Sequence, residues 1–324
     1  MWEAIKKPKV VLVIRLVVSG VLLWVLFAKV SKGWTSTALP PFTTETVLWL
    51  LGALVLTFLG VVLSALRWAA VLKALGQHPR IGRLLSHYLA GQFMANVLPS
   101  TIGGDALRVS RQSRDSGQSP TSFASVVLER MTGWLVLPVI TLVGLLVNPG
   151  LRHLGRATTV AEAVAGVTLV LLLVVLTLTA RPGATTLAHN EGWRRFASAV
   201  RMGVRQLVHD PAAAGRVLAT GFAYQLVLVT SVLMAARALG MPAGVGPTAL
   251  LAFVPAVLIA QVLPLTISGL GVREGLFALF LQPLGVPRAQ AVALGLLLYL
   301  LNLLVSLLGA PAFAIGHRSD TVTA

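Results

Sequence analysis

A twelve-residue stretch of this chain occurs twice, and that recurrence restricts the possible folds more than any other feature. Val97-Leu-Pro-Ser-Thr-Ile-Gly-Gly-Asp-Ala-Leu-Arg108 returns 165 residues later, without gaps, as Val262-Leu-Pro-Leu-Thr-Ile-Ser-Gly-Leu-Gly-Val-Arg273. Apolar identities carry little weight in a chain that is 56% hydrophobic. The informative matches are Pro99 with Pro264, Thr101 with Thr266, Gly104 with Gly269 and Arg108 with Arg273. Each copy interrupts an apolar run with Pro, follows with Gly and small residues, and ends on arginine. Pro removes a backbone donor and Gly loosens the chain, so both stretches break a helix. At membrane depth such a break survives only where protein or a watery cavity satisfies the freed backbone groups. Paired breaks in the two halves of a chain point to a transporter-like site.

The composition says that lipid is the solvent for most of the molecule. Only 11% of the 324 residues are charged and the mean hydropathy is +0.86. A soluble protein of this size has no means of covering that much apolar surface. The expected class is an all-α polytopic integral membrane protein. No cysteine is present, which removes disulfides, thiolate metal sites and cysteine nucleophiles. The 6 histidines are scattered without ligand spacing, so neither a metal nor another cofactor is expected. The formal charge of +16 belongs to loops flanking membrane segments. That distribution follows the positive-inside rule and suits anionic lipid; nucleic acid is not an expected partner.

Six spans are expected. The first, Val10 to Phe27, follows Lys6, Lys7 and Lys9 and reads as uncleaved. The second runs from about Thr46 to Leu66 and stops at Arg67-Trp68, a charge beside an interfacial aromatic. The others cover about Phe123–Val147, Thr158–Ala180, Val217–Leu239 and Ala289–Ala314. Between them, Leu84–Leu98 is too short to cross a bilayer, which takes about 20 residues. It reads as a re-entrant half-helix broken at Pro99. Thr248–Leu263 breaks likewise at Pro264 and resumes as Glu274–Leu284.

The same offset lays the second and third spans onto the fifth and sixth, giving a single transmembrane domain of two repeats, about 1–150 and 151–324. A re-entrant hairpin does not change sides, so each repeat crosses an odd number of times and the second is expected upside down. The basic segments agree. Arg67, Lys73, Arg80, Arg83, Arg108, Arg111 and Arg114 mark one inner loop; Arg181, Arg194, Arg195, Arg201, Arg205 and Arg216 mark the other. Both termini are then cytoplasmic and the plasma membrane is the expected location. From Trp193 to Leu207 apolar residues recur every three or four positions with arginines opposite. That pattern describes an amphipathic helix against anionic headgroups, with a partner-protein helix as the other reading.

The candidate binding residues cluster at the two breaks. Gly103-Gly104-Asp105 and Gly269-Leu270-Gly271 let backbone approach a ligand, and a half-helix starting there aims free N–H groups at it. Arg108 and Arg273 offer planar forks suited to phosphate. Asp105, Glu129 and Glu274 are the available counter-charges, and Arg130, Thr101, Thr266 and Ser268 complete the polar set. For Arg108 and the Glu129-Arg130 pair a plainer reading stands beside this one, with charges resting in an inner loop or at the end of a span. Arg273-Glu274, set between two apolar halves, favours function.

On these residues the chain resembles a known family. Val97 to Arg108, Glu129-Arg130 and Ile267-Ser-Gly-Leu-Gly-Val-Arg-Glu-Gly275 look like the signature segments of the lysylphosphatidylglycerol synthase transmembrane-region family of flippase-like membrane proteins. The resemblance implies a bundle of about six to eight spans that moves a polar-headgroup lipid between leaflets. In bifunctional members a soluble domain after the membrane part carries the aminoacyl transfer. No such domain follows within these 324 residues, so lipid aminoacylation is not expected.

Function is thus expected to be translocation of a phosphate-bearing lipid or lipid-linked precursor through a basic cavity between the two hairpins, without enzymatic chemistry. The alternatives are a membrane-embedded aminoacyl or glycosyl transferase and a membrane subunit serving a separate synthase. A homodimer or a lipid-modifying enzyme is the protein partner such a chain would take. No phosphate-cradling G-x-x-x-x-G-K-[ST] loop occurs, so ATP does not drive movement directly. Downhill movement and proton coupling through Glu129 or Glu274 both stay open.

Overall fold

The computed structural model describes residues 20–21, 24, 43–97, 101–180, 191–262, 266 and 269–315, and among these it is helical with no strand. In chain order the helices are α1 (Thr44–Ala74), α2 (Ile81–Val97), α3 (Thr101–Ser116), α4 (Ser119–Val147), α5 (Arg156–Ala180), α6 (Glu191–His209), α7 (Pro211–Ala238), α8 (Pro247–Gln261), α9 (Val272–Leu281), α10 (Arg288–Leu307) and α11 (Ala310–Ala314). Five of them, α1, α4, α5, α7 and α10, are long and apolar enough to cross a membrane. They account for the second to sixth spans expected from the sequence. The first, and the breaks at Pro99 and Pro264, lie outside the described residues. On α5 the outward side chains Val167, Val170, Leu171, Val174 and Leu178 recur every three or four residues and stay exposed. Such a stripe is solvated by acyl chains, not by water.

Two of the spans differ from expectation. The second does not stop at Arg67-Trp68; α1 runs on for two more turns, and both residues are buried within protein. The apolar Ala69, Ala70, Val71 and Leu72 that follow keep the helix packed, and the charge is satisfied internally. The sixth ends at Leu307, and a turn at Gly309 precedes the short α11. A Cβ on Gly309 would fall 2.1 Å from the Leu89 carbonyl oxygen, so this turn is where the chain passes against α2. The two short apolar segments are helices as expected, α2 and α8, and the resumed half-helix is α9, which begins two residues before Glu274. The amphipathic segment is α6, but its apolar face is not wholly free for lipid. Val204 is buried with Val71, Leu128 and Val217, and Leu207 packs beside them.

By contact the chain divides into two compact units. The first takes the described residues up to Thr57, with Leu137–Gly166 and Leu226–Leu303; the second takes Phe58–Val136, Val167–Gln225 and the described residues from Leu304. Adding 165 to the block 58–136 of the second unit gives 223–301, against 226–303 in the first. The helices obey the same shift. Residues 44–74, 81–97, 101–116 and 119–147 move to 209–239, 246–262, 266–281 and 284–312, where α7, α8, α9 and α10 lie.

In the first unit the core is Phe253 stacked on Phe280 at 5.0 Å, with Leu250, Val254, Val257, Phe277, Leu281 and Leu294 around them. A polar contact ties α1 to α7 there: the Thr57 and Ser231 hydroxyls both donate to the Ala53 carbonyl, at 2.7 and 2.9 Å. Interhelical hydrogen bonds of this kind are worth about 0.6 kcal/mol in a membrane. Replacing both (Thr57→Val, Ser231→Ala) should therefore move the thermal midpoint in detergent by only a degree or two. A larger loss would mean that this contact, not apolar packing, holds the two helices together.

In the second unit α2 packs along α3, and α11 lies against α2. The two hairpin helices touch backbone to backbone. A Cβ on Gly104 would sit 2.4 Å from the Gly91 carbonyl oxygen, and one on Gly91 would sit 2.9 Å from that of Gly104.

Candidate functional site, a buried arginine cluster

The second unit gathers three arginines and two acids from three helices. Glu129, on α4, is 1% exposed. Its Oε1 accepts from Arg67 of α1, from Nε at 3.0 Å and also from Nη2. Its Oε2 accepts from Arg108 Nη2 of α3 at 3.0 Å. Arg108 also faces Asp105, one turn earlier on α3, with Nη1 3.4 Å from Oδ1. Asp105 in turn holds Arg130, with Nη2 at 2.9 Å from Oδ1 and Nε at 2.8 Å from Oδ2.

Aromatic rings line the cluster. The Arg108 guanidinium lies 4.4 Å from the Trp68 ring and 4.2 Å from that of Tyr88; Arg67 lies 5.0 Å from Tyr224. Trp68 is itself fixed by its indole N–H, which donates to Ser125 Oγ at 2.9 Å. Ring faces attract a cation that has lost its water, and they leave the planar edge of the guanidinium for other partners. The cluster is closed at one end and open at the other. Arg67 and Arg108 are buried, whereas the side chains of Arg130 and Asp105 are 42% and 26% exposed. Three cations against two anions leave one positive charge in excess. Among the described residues, Arg67 Nη1 and Arg108 Nε are buried donors with no hydrogen-bond partner, while Arg130 Nε meets Asp105 only as an ion pair. A group with an excess charge and spare donors at this depth is costly unless an anion visits it.

The first unit solves the same problem differently. Arg273 and Glu274 are both buried near the start of α9. Glu274 Oε1 accepts from Arg273 Nε at 3.1 Å and Nη2 at 2.7 Å, while Oε2 accepts the Gly271 N–H at 2.6 Å. Reaching back from the third helical residue to the N-cap is half of a capping box. Gly271 and Gly269 have φ of 87° and 74°, a region that residues with a side chain rarely adopt, so the tight approach to α9 requires them. Tyr299 lies 5.5 Å from the Arg273 guanidinium. The position corresponding to Glu129 is Leu294, and the one corresponding to Arg130 is Gly295. A Cβ on Gly295 would meet Glu274 Cγ at 2.8 Å, so the missing side chain leaves the room that the carboxylate occupies.

Of the residues singled out in the sequence, Arg108, Asp105, Glu129 and Arg130 come together, and Arg273 and Glu274 form the second pair. Gly104 and Gly103 lie on α3; Thr266 is buried, and its hydroxyl has no partner among the described residues. Pro99, Pro264 and Ser268, and the side chain of Thr101, lie outside the described residues. The sequence reading missed Arg67, Trp68, Tyr88, Tyr224 and Tyr299. A signal for Arg67 existed: the apolar run resumes beyond it and reaches Leu75 with only Lys73 intervening. Among the described residues no group of three His, Asp or Glu is placed to hold a metal.

Five long apolar helices and a charge cluster buried among them define a multi-pass α-helical membrane protein. Residues 12–309 match the family described as the lysylphosphatidylglycerol synthase TM region, and the chain belongs to that family. A comparison with curated proteins returns no match.

Proposed function

We propose that this protein moves a lipid with an anionic, phosphate-bearing headgroup between membrane leaflets, without chemically converting it. The observation that carries the reading is the excess positive charge of the Arg67–Arg108–Arg130 cluster, with the buried donors Arg67 Nη1 and Arg108 Nε unpartnered among the described residues. A phosphate monoanion neutralises that charge and takes up those donors, while its acyl chains stay in lipid. The exposed Arg130–Asp105 pair is the mouth. An arriving phosphate competes with Asp105 for Arg130 and then with Glu129 for Arg108. The return of the two carboxylates to their arginines expels it. Membership of a family named for a lipid-modifying synthase's membrane region supports a lipid substrate. The matching 165-residue shift of helices and units supports descent from one duplicated piece. The basic segments on either side of α2–α3 and around α6 are cytoplasmic in this reading, with the protein in the plasma membrane.

The test is scrambling of a fluorescent phosphatidylglycerol in vesicles containing the purified chain, followed by quenching from outside. Arg108→Lys keeps the charge but not the fork, and should slow movement about tenfold, the equivalent of losing about 1.4 kcal/mol of bidentate contact. Arg130→Gln, at the exposed mouth, should slow it several-fold with no loss of folded protein. Wild-type rates in both variants would overturn the proposal. Conversion of the lipid by the purified chain would instead favour a transferase. Arg273→Ala is the weaker probe, because it leaves the buried Glu274 with only the Gly271 N–H.

A further inference from the structure

A cavity that shares no lining residue with the arginine cluster opens beside α1. Its volume is about 630 Å³, and it is bounded by the end of α1, the end of α6 and the start of α7. Its floor is made of small and apolar side chains, among them Leu66, Ala69, Ala70 and Ala219. Its rim carries Lys73 and Arg216, both exposed, together with Asp210. Asp210 is engaged locally, its Oδ1 accepting the Ala213 N–H at 2.9 Å to cap α7. Neither Lys73 nor Arg216 has an ion-pair partner among the described residues. The rim therefore carries one unmatched positive charge.

The two helices fix which way a ligand would lie. α1 and α7 run in opposite chain directions: Thr57 meets Ser231, and ten residues on Arg67 meets Tyr224. Lys73 and Arg216 therefore share one end of the cavity, where α1 finishes and α7 begins. Leu66 lies two helical turns from Lys73, roughly 10 Å deeper along the axis. A water-soluble anion fills only the rim, and an uncharged chain only the floor. A molecule with a phosphodiester at one end and an acyl chain at the other fills both.

We propose that this cavity holds one anionic phospholipid as a resident, untransported ligand, its phosphodiester between Lys73 and Arg216 and a chain against the alanine floor. The site shares no residue with the arginine cluster, so its failure and that of the transport reading are separable. The experiment uses the full chain in phosphatidylcholine nanodiscs, with short-chain phosphatidylglycerol as the probe and native mass spectrometry to count retained lipid. Wild type should retain phosphatidylglycerol selectively. Lys73→Gln with Arg216→Gln should weaken that retention on the order of tenfold, as expected for two cations near a headgroup. Ala219→Trp, which fills the cavity from an exposed position and leaves both cations in place, should do the same. Inorganic phosphate should not compete. Equal retention of phosphatidylcholine, undiminished retention in either variant, or displacement by inorganic phosphate would each overturn the assignment.

Discussion

Glu129→Gln is expected to cost this protein about 3–5 kcal/mol, the range for removing one partner of a buried ion pair. In detergent that corresponds to a fall in melting temperature on the order of 10 °C. The reason is that one carboxylate serves two guanidiniums from two other helices, Arg67 of α1 and Arg108 of α3. An amide of the same shape keeps an acceptor but leaves both cations unmatched inside the protein. Asp105→Asn should cost much less, because Asp105 and its partner Arg130 reach solvent. The combination Arg67→Met with Glu129→Gln should be less destabilised than the two single effects summed, since the methionine removes a charge that the glutamine strands. A Glu129→Gln protein melting within a degree of wild type would show that Glu129 does not neutralise these arginines.

The second large effect is steric. Gly104→Ala places a methyl 2.4 Å from the Gly91 carbonyl oxygen and 2.9 Å from the Ala95 Cβ. The obstacle is backbone, which cannot rotate away, so α2 and α3 must separate. Overpacking typically costs 1–3 kcal/mol, and the backbone obstacle puts this position at or above about 3 kcal/mol. Arg108 rides on the same hairpin, with its Cγ 2.8 Å from a Cβ built on Gly91, so the proposed lipid movement should fall with stability. Gly166→Ala in α5 is the control. None of the described residues lies within 4 Å of its added methyl, and the helix-propensity gain of up to about 1 kcal/mol should appear undiminished. Equal thermal shifts for the two substitutions would mean that α2 and α3 are not held at glycine contact.

Much of this architecture was legible in the sequence, because its signals were local. Apolar length marked α4, α5, α7 and α10, and three-to-four-residue spacing marked α6. The shortfall in length at α2 and α8 set these two helices apart from the longer ones. Misreadings occurred where a long-range contact overrides a local rule. Arg67-Trp68 looks like the end of a span because a charge beside an indole usually sits at the headgroups. Here Glu129, 62 residues later, satisfies the charge and the helix continues. Gly309 and Pro311 look like part of an apolar run, yet the run turns there, at a glycine beside which the Leu89 carbonyl leaves no room for a Cβ. The candidate residues were legible as a set, since a chain with only 10 acids offers few partners for buried arginines. Their grouping was not, because the Glu129 carboxylate comes to Arg108 from a different helix, while that of Glu274 comes to Arg273 from the neighbouring residue.

That last difference decides which half can be transplanted. A peptide cut from Gly269 to Leu281 takes its own neutralisation along: arginine, carboxylate and the amide that anchors it are contiguous. A designer seeking a guanidinium for the interior of a synthetic bundle has that cassette ready. The corresponding cut around Arg108 carries only Asp105, 3.4 Å away and shared with Arg130, and its new host must supply the closer acid on a facing rod at the right height.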